Sequence, residues 1–394
     1  SDFSATGTIS NLLGFLLSDK KLQGNFKLSS NRFAISDFLL EDETVPETSN
    51  KTTADAESLK IPEFLECRIS ANAKTVIYDN LNLQNVKGDV LIKDQTASLT
   101  NMTTDLFNGQ LGISGNVSTK ESKPEFNMKL NMQQFDISQS FTELEMLKAL
   151  APIAKVLQGK LNSTINVNGL LDENFSPDLA TLSGNALAEL LTSKVNASQS
   201  KILTTLDSKF NFLDFSKFDL KDLKTNLSFE NGQVSVKPFT INYKDIPIVV
   251  SGSHSFSNTM NYNAVLQVPA KYLGGEVNRL IGKINDPEVN TISIPVTAAI
   301  GGTFTSPNIT TDLTSGVSSL TTQLIEIQKQ KMIGEGKDKV NDLIGGLLGS
   351  SSNSKTTDST KTTTTEDSIK EGVGSLLDGV LGGNKKKKSK KEQD

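Results

Sequence analysis

The amino-acid sequence predicts a mainly β fold with a few helices, in which elongated, curved antiparallel sheets form a groove and the C-terminal tail is disordered. Two observations carry this prediction: apolar and polar residues alternate along many stretches, and a unit of about a hundred residues, a β-meander followed by a helix, occurs twice. The 394 residues are 36% hydrophobic and carry a net charge of −5, which suits a packed fold with some disorder.

The scarcity of cysteine and histidine argues against catalytic and metal-binding chemistry. The chain has one Cys, Cys67, and one His, His254. A zinc site needs several Cys, His or carboxylate ligands, and nucleophilic triads normally use a His as the base. We therefore expect a protein that is not an enzyme and has no cofactor, metal site or catalytic residue. Cys67 is expected to be a buried structural residue, and His254 an exposed strand residue.

The N-terminal part of the chain is predicted to hold an incomplete β unit. Phe3, Ala5 and Ile9 alternate with other residues as in a strand, and residues 44–55 form a polar loop. The apolar stretch at residues 9–17 is shorter than the roughly 18 residues that a membrane-spanning helix needs. Because the chain begins with Ser inside a strand pattern, we expect that it was cut from a longer protein whose signal or anchor lies upstream.

The repeat becomes visible when the chain is aligned with itself. From residue 81, apolar residues meet apolar residues 137 positions later, as Leu83 meets Leu220, and after one gap the offset is 136, as Phe126 meets Tyr262. The alignment predicts the following segments: 1–80, a partial preceding β unit; 81–180, the first β-groove repeat; 181–217, a connecting strand and helix; 218–313, the second β-groove repeat; 314–349, C-terminal helices; and 350–394, a disordered tail with a short amphipathic segment and a poly-Lys end.

Turn and helix signals mark the same landmarks in both repeats. Asn231-Gly232 and Asn108-Gly109 predict tight hairpin turns. Each repeat then has a helical stretch, a strand that ends in Gly, and a Ser-Pro turn. The helical stretches are residues 142–157 and 270–284, the Gly-ended strands are 161–169 and 292–302, and the turns begin at Ser176-Pro177 and Ser306-Pro307. Further helices are predicted at residues 199–206 and 313–332, the latter with Leu320, Leu324 and Ile327 on one face.

Strict alternation gives each sheet one apolar and one polar face, and a single helix per repeat is little cover for about five strands. The apolar face is therefore either an open groove or, in an ordinary β-sandwich, closed by a second sheet; the pattern leaves both open. An open aliphatic face suits acyl chains. The residues predicted to line the groove are Leu99, Leu111, Ile113, Met128, Leu130, Phe229, Val234, Val236, Phe239, Ile241, Ile248, Val250, Leu266 and Val268.

Several short motifs resemble the C-terminal region of the AsmA family, in its Bacteroidetes-type form. They are Asn231-Gly232-Gln233-Val234, Pro238-Phe239, Ile248-Val249-Val250-Ser251-Gly252, Gly301-Gly302-Thr303 and Ser306-Pro307, and the resemblance covers most of residues 3–348. It implies a periplasmic protein of the cell envelope that is anchored in the inner membrane by an N-terminal helix. It also implies a repeated β-groove that moves phospholipid between membranes in outer-membrane biogenesis. The chain lacks that N-terminal helix, so attachment to the inner membrane is an implication of the resemblance alone.

Two functions from different classes follow from the open and the closed sheet. In the first, the chain binds or conducts phospholipid or another acyl lipid through its groove. In the second, it is a structural or adhesive β-sandwich or solenoid without a ligand. Membrane contact is expected through the missing N-terminal helix and through the basic run at residues 385–391, which holds six Lys. No nucleic-acid partner is expected, because the rest of the chain is acidic and no aromatic residues accompany the basic run.

Overall fold

The fold is described from a computed structural model, which covers residues 1–18, 20–38, 60–172 and 175–333. It is mainly β with a few helices, as predicted. The strands follow chain order in the sheet, β1 to β15. They are β1 Asp2–Ser10, β2 Leu22–Ala34, β3 Leu65–Tyr78, β4 Leu81–Lys93, β5 Thr96–Leu106, β6 Gly109–Ser118, β7 Glu125–Asp136, β8 Leu157–Leu170, β9 Ser183–Val195, β10 Lys224–Glu230, β11 Gln233–Tyr243, β12 Ile246–Ser255, β13 Met260–Pro269, β14 Ser293–Gly302 and β15 Pro307–Thr311.

The helices are α1 Leu12–Ser18, α2 Ile137–Glu143, α3 Glu145–Leu150, α4 Lys201–Lys209, α5 Gly275–Ile284, α6 Pro287–Asn290 and α7 Leu313–Ile333, with several short 3₁₀ turns. Helices α1 to α6 lie in connections between strands, and α7 follows β15. Among the described residues, no helix is both long and apolar enough to cross a membrane. The predicted polar loop at residues 44–55, the end of the predicted C-terminal helices and the tail lie outside the described residues.

The strands pair with their neighbours in the chain, and most pairs are antiparallel. The exception among the pairs whose register is described is β2 with β3, which run parallel, with Leu22 opposite Leu65 and Ala34 opposite Ile77. A parallel pair needs a crossover connection, and the 30 residues from Ile35 to Phe64 supply it. The sequence pattern did not predict this pair, because alternation is the same in parallel and antiparallel strands.

Two-residue turns close several of the hairpins. Asn231 and Gly232 connect β10 to β11 with φ values of 51° and 71°, as the sequence predicts for an Asn-Gly turn. The turn predicted at Asn108-Gly109 lies one residue earlier: Phe107 and Asn108 have the positive φ values, and Gly109 already pairs with Leu106. Phe107 holds this unusual position because its ring is buried against another aromatic ring.

The two repeats have strands at matching positions. The bounds of β5 and β11 differ by 137 residues at both ends, and so do those of β6 and β12. The first helical stretch begins at Ile137 rather than 142, because the Asp136 carboxylate accepts a 3.0 Å hydrogen bond from the backbone N–H of Gln139 and caps the helix there. It is also interrupted at Leu144. The division of the chain into repeats stays a prediction, because the matching bounds do not define domain limits.

The chain divides into two compact bodies. The N-terminal body contains Ser1–Gln199, Leu220–Phe239 and Gly252–Met260. Its core lies where the helical segment from α2 to the 3₁₀ turn Pro152–Val156 packs on β7 and β8. Core residues that are at most 4% exposed include Met132, Phe135, Ile137, Leu147, Leu150, Val156, Leu161, Ile165, Val167 and Leu182.

The C-terminal body contains Ser200–Asp219, Thr240–Ser251 and the described residues from Asn261 onward. Helix α7 packs on α5 and on β14, where a Cβ added to Gly316 would lie 3.1 Å from Ile294 Cδ1. The predicted apolar face of this helix is confirmed, since Leu320, Leu324 and Ile327 are 1%, 0% and 4% exposed. Helix α7 therefore covers the apolar side of this part of the sheet.

The two residues singled out by the sequence for their chemistry are both buried. Cys67 lies inside β3 and is 4% exposed, which confirms the structural role expected of it. His254 was expected to be exposed, but it is 3% exposed, so that prediction is wrong. Its Nε2 lies 2.9 Å from the carbonyl oxygen of Ala149 in α3. The helix that covers His254 is more than a hundred residues away in the chain, so the local pattern did not show it.

Candidate functional site

One face of the N-terminal body carries apolar residues that line up from strand to strand; we call it the apolar face. Directly paired residues of neighbouring strands point to the same face of a sheet. One row of such pairs crosses eleven strands without a break. Its members, from β1 to β11, are Gly7, Phe26, Ile69, Val90, Leu99, Gly115, Met128, Val167, Gly184, Phe229 and Val234.

A second row lies two residues further along the strands. It crosses β4 and β5 at a β-bulge, where a Cβ added to Gly88 would lie within 3 Å of Met102. The row therefore continues through the irregular register of these two strands. Its members are Ala5, Leu28, Ala71, Gly88, Met102, Ile113, Leu130, Ile165, Ala186, Leu227 and Val236.

The two rows are not equally covered along their length. From β8 to β11 most of their side chains are core residues; Ile165 is 1% exposed and Val234 is 0% exposed. From β2 to β7 the large side chains of both rows are only half-buried, and we call this part the open section. Its residues are Phe26, Leu28, Ile69, Val90, Leu99, Met102, Ile113, Met128 and Leu130.

The opposite face of the same strands is mostly polar. In β7, Met128 and Leu130 belong to the open section, whereas Asn127, Lys129 and Asn131 between and beside them are exposed. The two faces thus differ sharply in chemistry while sharing one backbone. Neither of the two rows contains an ionisable side chain. The open section is therefore a neutral, aliphatic surface that retains contact with solvent.

Glycine shapes this surface at one position in particular. Gly184 in β9 pairs with Phe229 in β10, and a Cβ added to Gly184 would lie 2.9 Å from the tip of the Phe229 ring and 2.0 Å from the Asn166 carbonyl oxygen. The missing side chain leaves room for the ring to lie across the neighbouring strand. Phe229 is consequently buried in the core that continues the apolar face beyond the open section.

The structure places the predicted groove residues in two different settings. Leu99, Ile113, Met128 and Leu130 lie together in the open section, and Leu111 lies beside them, paired with Met132. Half-buried residues outside the open section are Leu111, Val236, Phe239, Ile241 and Val250; fully buried ones are Phe229, Val234, Ile248, Leu266 and Val268.

The predicted residues of β13 are part of a closed core. Leu266 pairs with Val296 and Val268 pairs with Ile294, and all four side chains are at most 2% exposed. Helix α7 packs on β14, the strand that carries Val296 and Ile294. Within the C-terminal body these residues form a buried layer and do not face solvent.

Sequence analysis nominated only Leu99 from the part of the open section that lies in β2 to β5. Phe26, Leu28, Ile69, Val90 and Met102 were not nominated, although residues 22–28 and 65–77 show the same alternation as the repeats. The self-alignment began at residue 81, so Phe26, Leu28 and Ile69 had no partner to be compared with. Val90 and Met102 lie inside the self-alignment but were not nominated. Alternation alone would have found them.

A cysteine lies on the apolar face beside the open section. Cys67 lies on the same face, paired with Gly24 and Ile92, and burial raises the pKa of its thiol, so the neutral form is favoured. No group of three or more His, Cys, Asp or Glu residues that could hold a metal occurs in the part of the chain that the structure describes. What the open section offers chemically is desolvation of an apolar ligand.

Comparison of the chain with family models, with curated proteins and with solved structures gives no match in any of the three.

Proposed function

We propose that the chain is a non-enzymatic protein of a bacterial cell envelope and that its open section binds the acyl chains of phospholipid. The observation that carries the proposal is the half-burial of two continuous apolar rows from β2 to β7. Soluble proteins rarely leave a contiguous apolar surface in contact with water unless it binds something. A neutral aliphatic surface fits a hydrocarbon chain better than it fits a polar ligand.

The size of the open section suits an acyl chain. Neighbouring strands lie about 4.8 Å apart, so the six strands from β2 to β7 span about 24 Å. Each methylene group that leaves water for this surface contributes about 0.8 kcal/mol, so a partly shielded chain gains several kcal/mol without a single polar contact. Binding of this kind depends on chain length and not on the identity of the headgroup.

The cellular setting is proposed from the AsmA-like motifs. Proteins of that family are periplasmic and anchored in the inner membrane, and the rows of this chain would serve as part of a path for phospholipid toward the outer membrane. The strands of the open section belong to the first repeat and to the segment before it. Transfer between membranes is thus proposed for the N-terminal body.

A ligand-free structural or adhesive role is the second candidate, and a specific observation favours it. In the C-terminal body, Leu266 and Val268 are fully buried and are not accessible to a lipid. If a ligand-free role applied to the whole chain, the open section would also be covered in solution. The two functions therefore differ in whether the open section can be reached by a lipid.

Site-specific photo-crosslinking would test the proposal. Benzoylphenylalanine replaces Leu130 or Leu99 in the full chain, and Lys129 or Thr100 in matched controls on the opposite face. After incubation with phospholipid vesicles and irradiation, we expect lipid adducts by mass spectrometry at Leu130 and Leu99 but not at the controls. Equal labelling of both faces, or labelling of neither, would contradict acyl-chain binding at the open section.

A further inference from the structure

Helix α1 presents an unusual concentration of exposed leucines. Leu12, Leu13, Leu16 and Leu17 are 48%, 72%, 65% and 78% exposed, and Phe64, whose ring lies 5.2 Å from that of Phe15 in the same helix, is 48% exposed. These five make up more than half of the nine large apolar side chains that are exposed in the described residues. We call Leu12, Leu13, Leu16, Leu17 and Phe64 the leucine patch.

The leucine patch lies at one end of the apolar face. Helix α1 begins two residues after β1 ends, and Ile9 near the end of β1 pairs with Gly24, which pairs with Cys67 on the apolar face. The backbone N–H of Leu22 donates to the carbonyl oxygen of Phe64 over 2.7 Å, which ties the patch to the first residue of β2. The leucine patch therefore adjoins the ends of the strands that carry the apolar face.

Three exposed lysines lie at this end of the strands. Lys20 follows α1, and its backbone N–H donates to the Gly14 carbonyl oxygen. Lys60 and Lys120 lie near one another, because the residues next to them, Ile61 and Thr119, share a 2.9 Å hydrogen bond. All three are exposed, and none forms an ion pair with another described residue, whereas Lys21 is paired with Asp94.

From these observations we propose that the leucine patch inserts into the surface of a lipid bilayer that contains anionic lipids. Exposed leucines on a short helix, accompanied by lysines, are the combination that binds at a membrane interface: the apolar side chains enter the acyl region and the cations meet anionic headgroups. Helix α1 has seven residues, so it can lie in the interface but cannot cross the bilayer. The three lysines without an ion pair supply the charge complementarity.

Protein partners fit the patch less well than a bilayer does. Protein interfaces are enriched in Tyr, Trp, Phe, Met and Arg at their centres, and leucine is under-represented among the residues that dominate their binding energy. The patch consists of four leucines and one phenylalanine, without a polar group among them. A second copy of the chain is the occupant against which the experiment must discriminate.

This inference deepens the proposed function, because it places the membrane beside the surface that would receive the acyl chains. Contact between the bilayer and the apolar face would let the acyl chain of a lipid pass from one to the other without crossing water. The two proposals can nevertheless fail separately, since the patch and the open section are formed by different residues.

A tryptophan reporter gives a direct test in the full chain, which contains no Trp. Leu16→Trp places the fluorophore in the patch, and Val249→Trp places it at an exposed position in the C-terminal body. With vesicles of phosphatidylcholine and phosphatidylglycerol, we expect a blue shift and quenching by lipids brominated on the acyl chains for Leu16→Trp only. An unchanged spectrum for Leu16→Trp, or the same change at both positions, would overturn the inference.

Vesicle flotation with a matched pair of variants measures the contribution of the leucines. Leu13→Gln/Leu17→Gln removes two exposed leucines from the patch, and Leu187→Gln/Val249→Gln removes two exposed apolar side chains elsewhere. We expect at least about a tenfold loss of vesicle affinity for the first variant and little loss for the second. The poly-Lys end is the same in both, so its contribution cancels.

Two further measurements separate the possible outcomes. Replacing Lys20 and Lys60 by Gln should weaken binding to the anionic vesicles and leave binding to pure phosphatidylcholine unchanged. Dimerisation of the chain that Leu13→Gln/Leu17→Gln abolishes would identify a second copy as the occupant and overturn the bilayer. Lipid crosslinking at Leu130 that persists in this variant, together with unchanged flotation, would refute the patch while supporting the open section.

Discussion

Paired alanine substitutions in neighbouring strands test whether the open section is exposed in solution. Leu130 in β7 and Ile165 in β8 are directly paired and lie in the same row of the apolar face. Leu130 is half-buried, whereas Ile165 is 1% exposed. Leu130→Ala and Ile165→Ala remove aliphatic groups of similar size from adjacent positions in one cooperative region. Any difference between the free energies of unfolding that the two variants lose therefore reports mainly on how far other parts of the molecule cover each side chain.

The expected costs follow from burial. Truncation of a fully buried Ile or Leu to Ala lowers the free energy of unfolding by about 2–5 kcal/mol, because a cavity adds to the lost transfer energy. For the half-buried Leu130, about half of the 1.5–3 kcal/mol of a buried side chain is lost, and water fills the space, so about 1 kcal/mol is expected. Ile165→Ala should thus be more destabilising than Leu130→Ala by at least about 1 kcal/mol.

Urea unfolding followed by far-UV circular dichroism supplies the comparison, with midpoints interpreted at equal slopes for the two variants. Hydrogen exchange of the amides in β7 and β8 confines the measurement to the N-terminal body. Equal losses of about 3 kcal/mol for both variants would refute the reasoning, since they would mean that Leu130 is as deeply covered as Ile165. Added phospholipid should stabilise the parent protein more than Leu130→Ala if the open section binds acyl chains.

Two other predictions concern the N-terminal body. Burial lowers the pKa of His254 below its usual value of about 6.5, although the hydrogen bond to the Ala149 carbonyl opposes this shift. At pH values between the folded-state and the unfolded-state pKa, the unfolded chain therefore binds more protons. The contribution of His254 to the free energy of unfolding is complete above about pH 6.5 and is lost as the pH falls below it. Unfolding free energies measured from pH 7 to 5 should show this loss, and His254→Gln should flatten the profile; an unchanged profile would contradict it. Gly232→Ala should lower the free energy of unfolding by about 1–2 kcal/mol, because alanine is strained at a φ of +71°. The added methyl group meets nothing within 4 Å, so the backbone alone accounts for the loss. An unchanged midpoint in denaturant unfolding would contradict this and show that the turn relaxes.

Much of the local structure of this chain can be predicted from the sequence. Alternation identifies most strands, Asn231-Gly232 identifies a hairpin turn, and the self-alignment finds strands that match to the residue, such as β5 with β11. The apolar side of α7 is likewise visible in the spacing of Leu320, Leu324 and Ile327. These features depend on interactions between residues close in the chain, or on the period of two that a strand imposes on its own side chains.

Tertiary packing decided the rest. Alternation assigns Leu130 and Leu266 equally to an apolar face, yet Leu130 is half-buried and Leu266 is 1% exposed. Helix α7, which packs on the neighbouring strand β14, is remote from Leu266 in the sequence. The same cause buried His254 under α3. A strand pattern specifies which side chains share a face, whereas what lies against that face depends on where distant segments pack. For this protein, that non-local packing leaves the apolar side chains from β2 to β7 half-buried and buries Leu266 and Val268 of the C-terminal body completely.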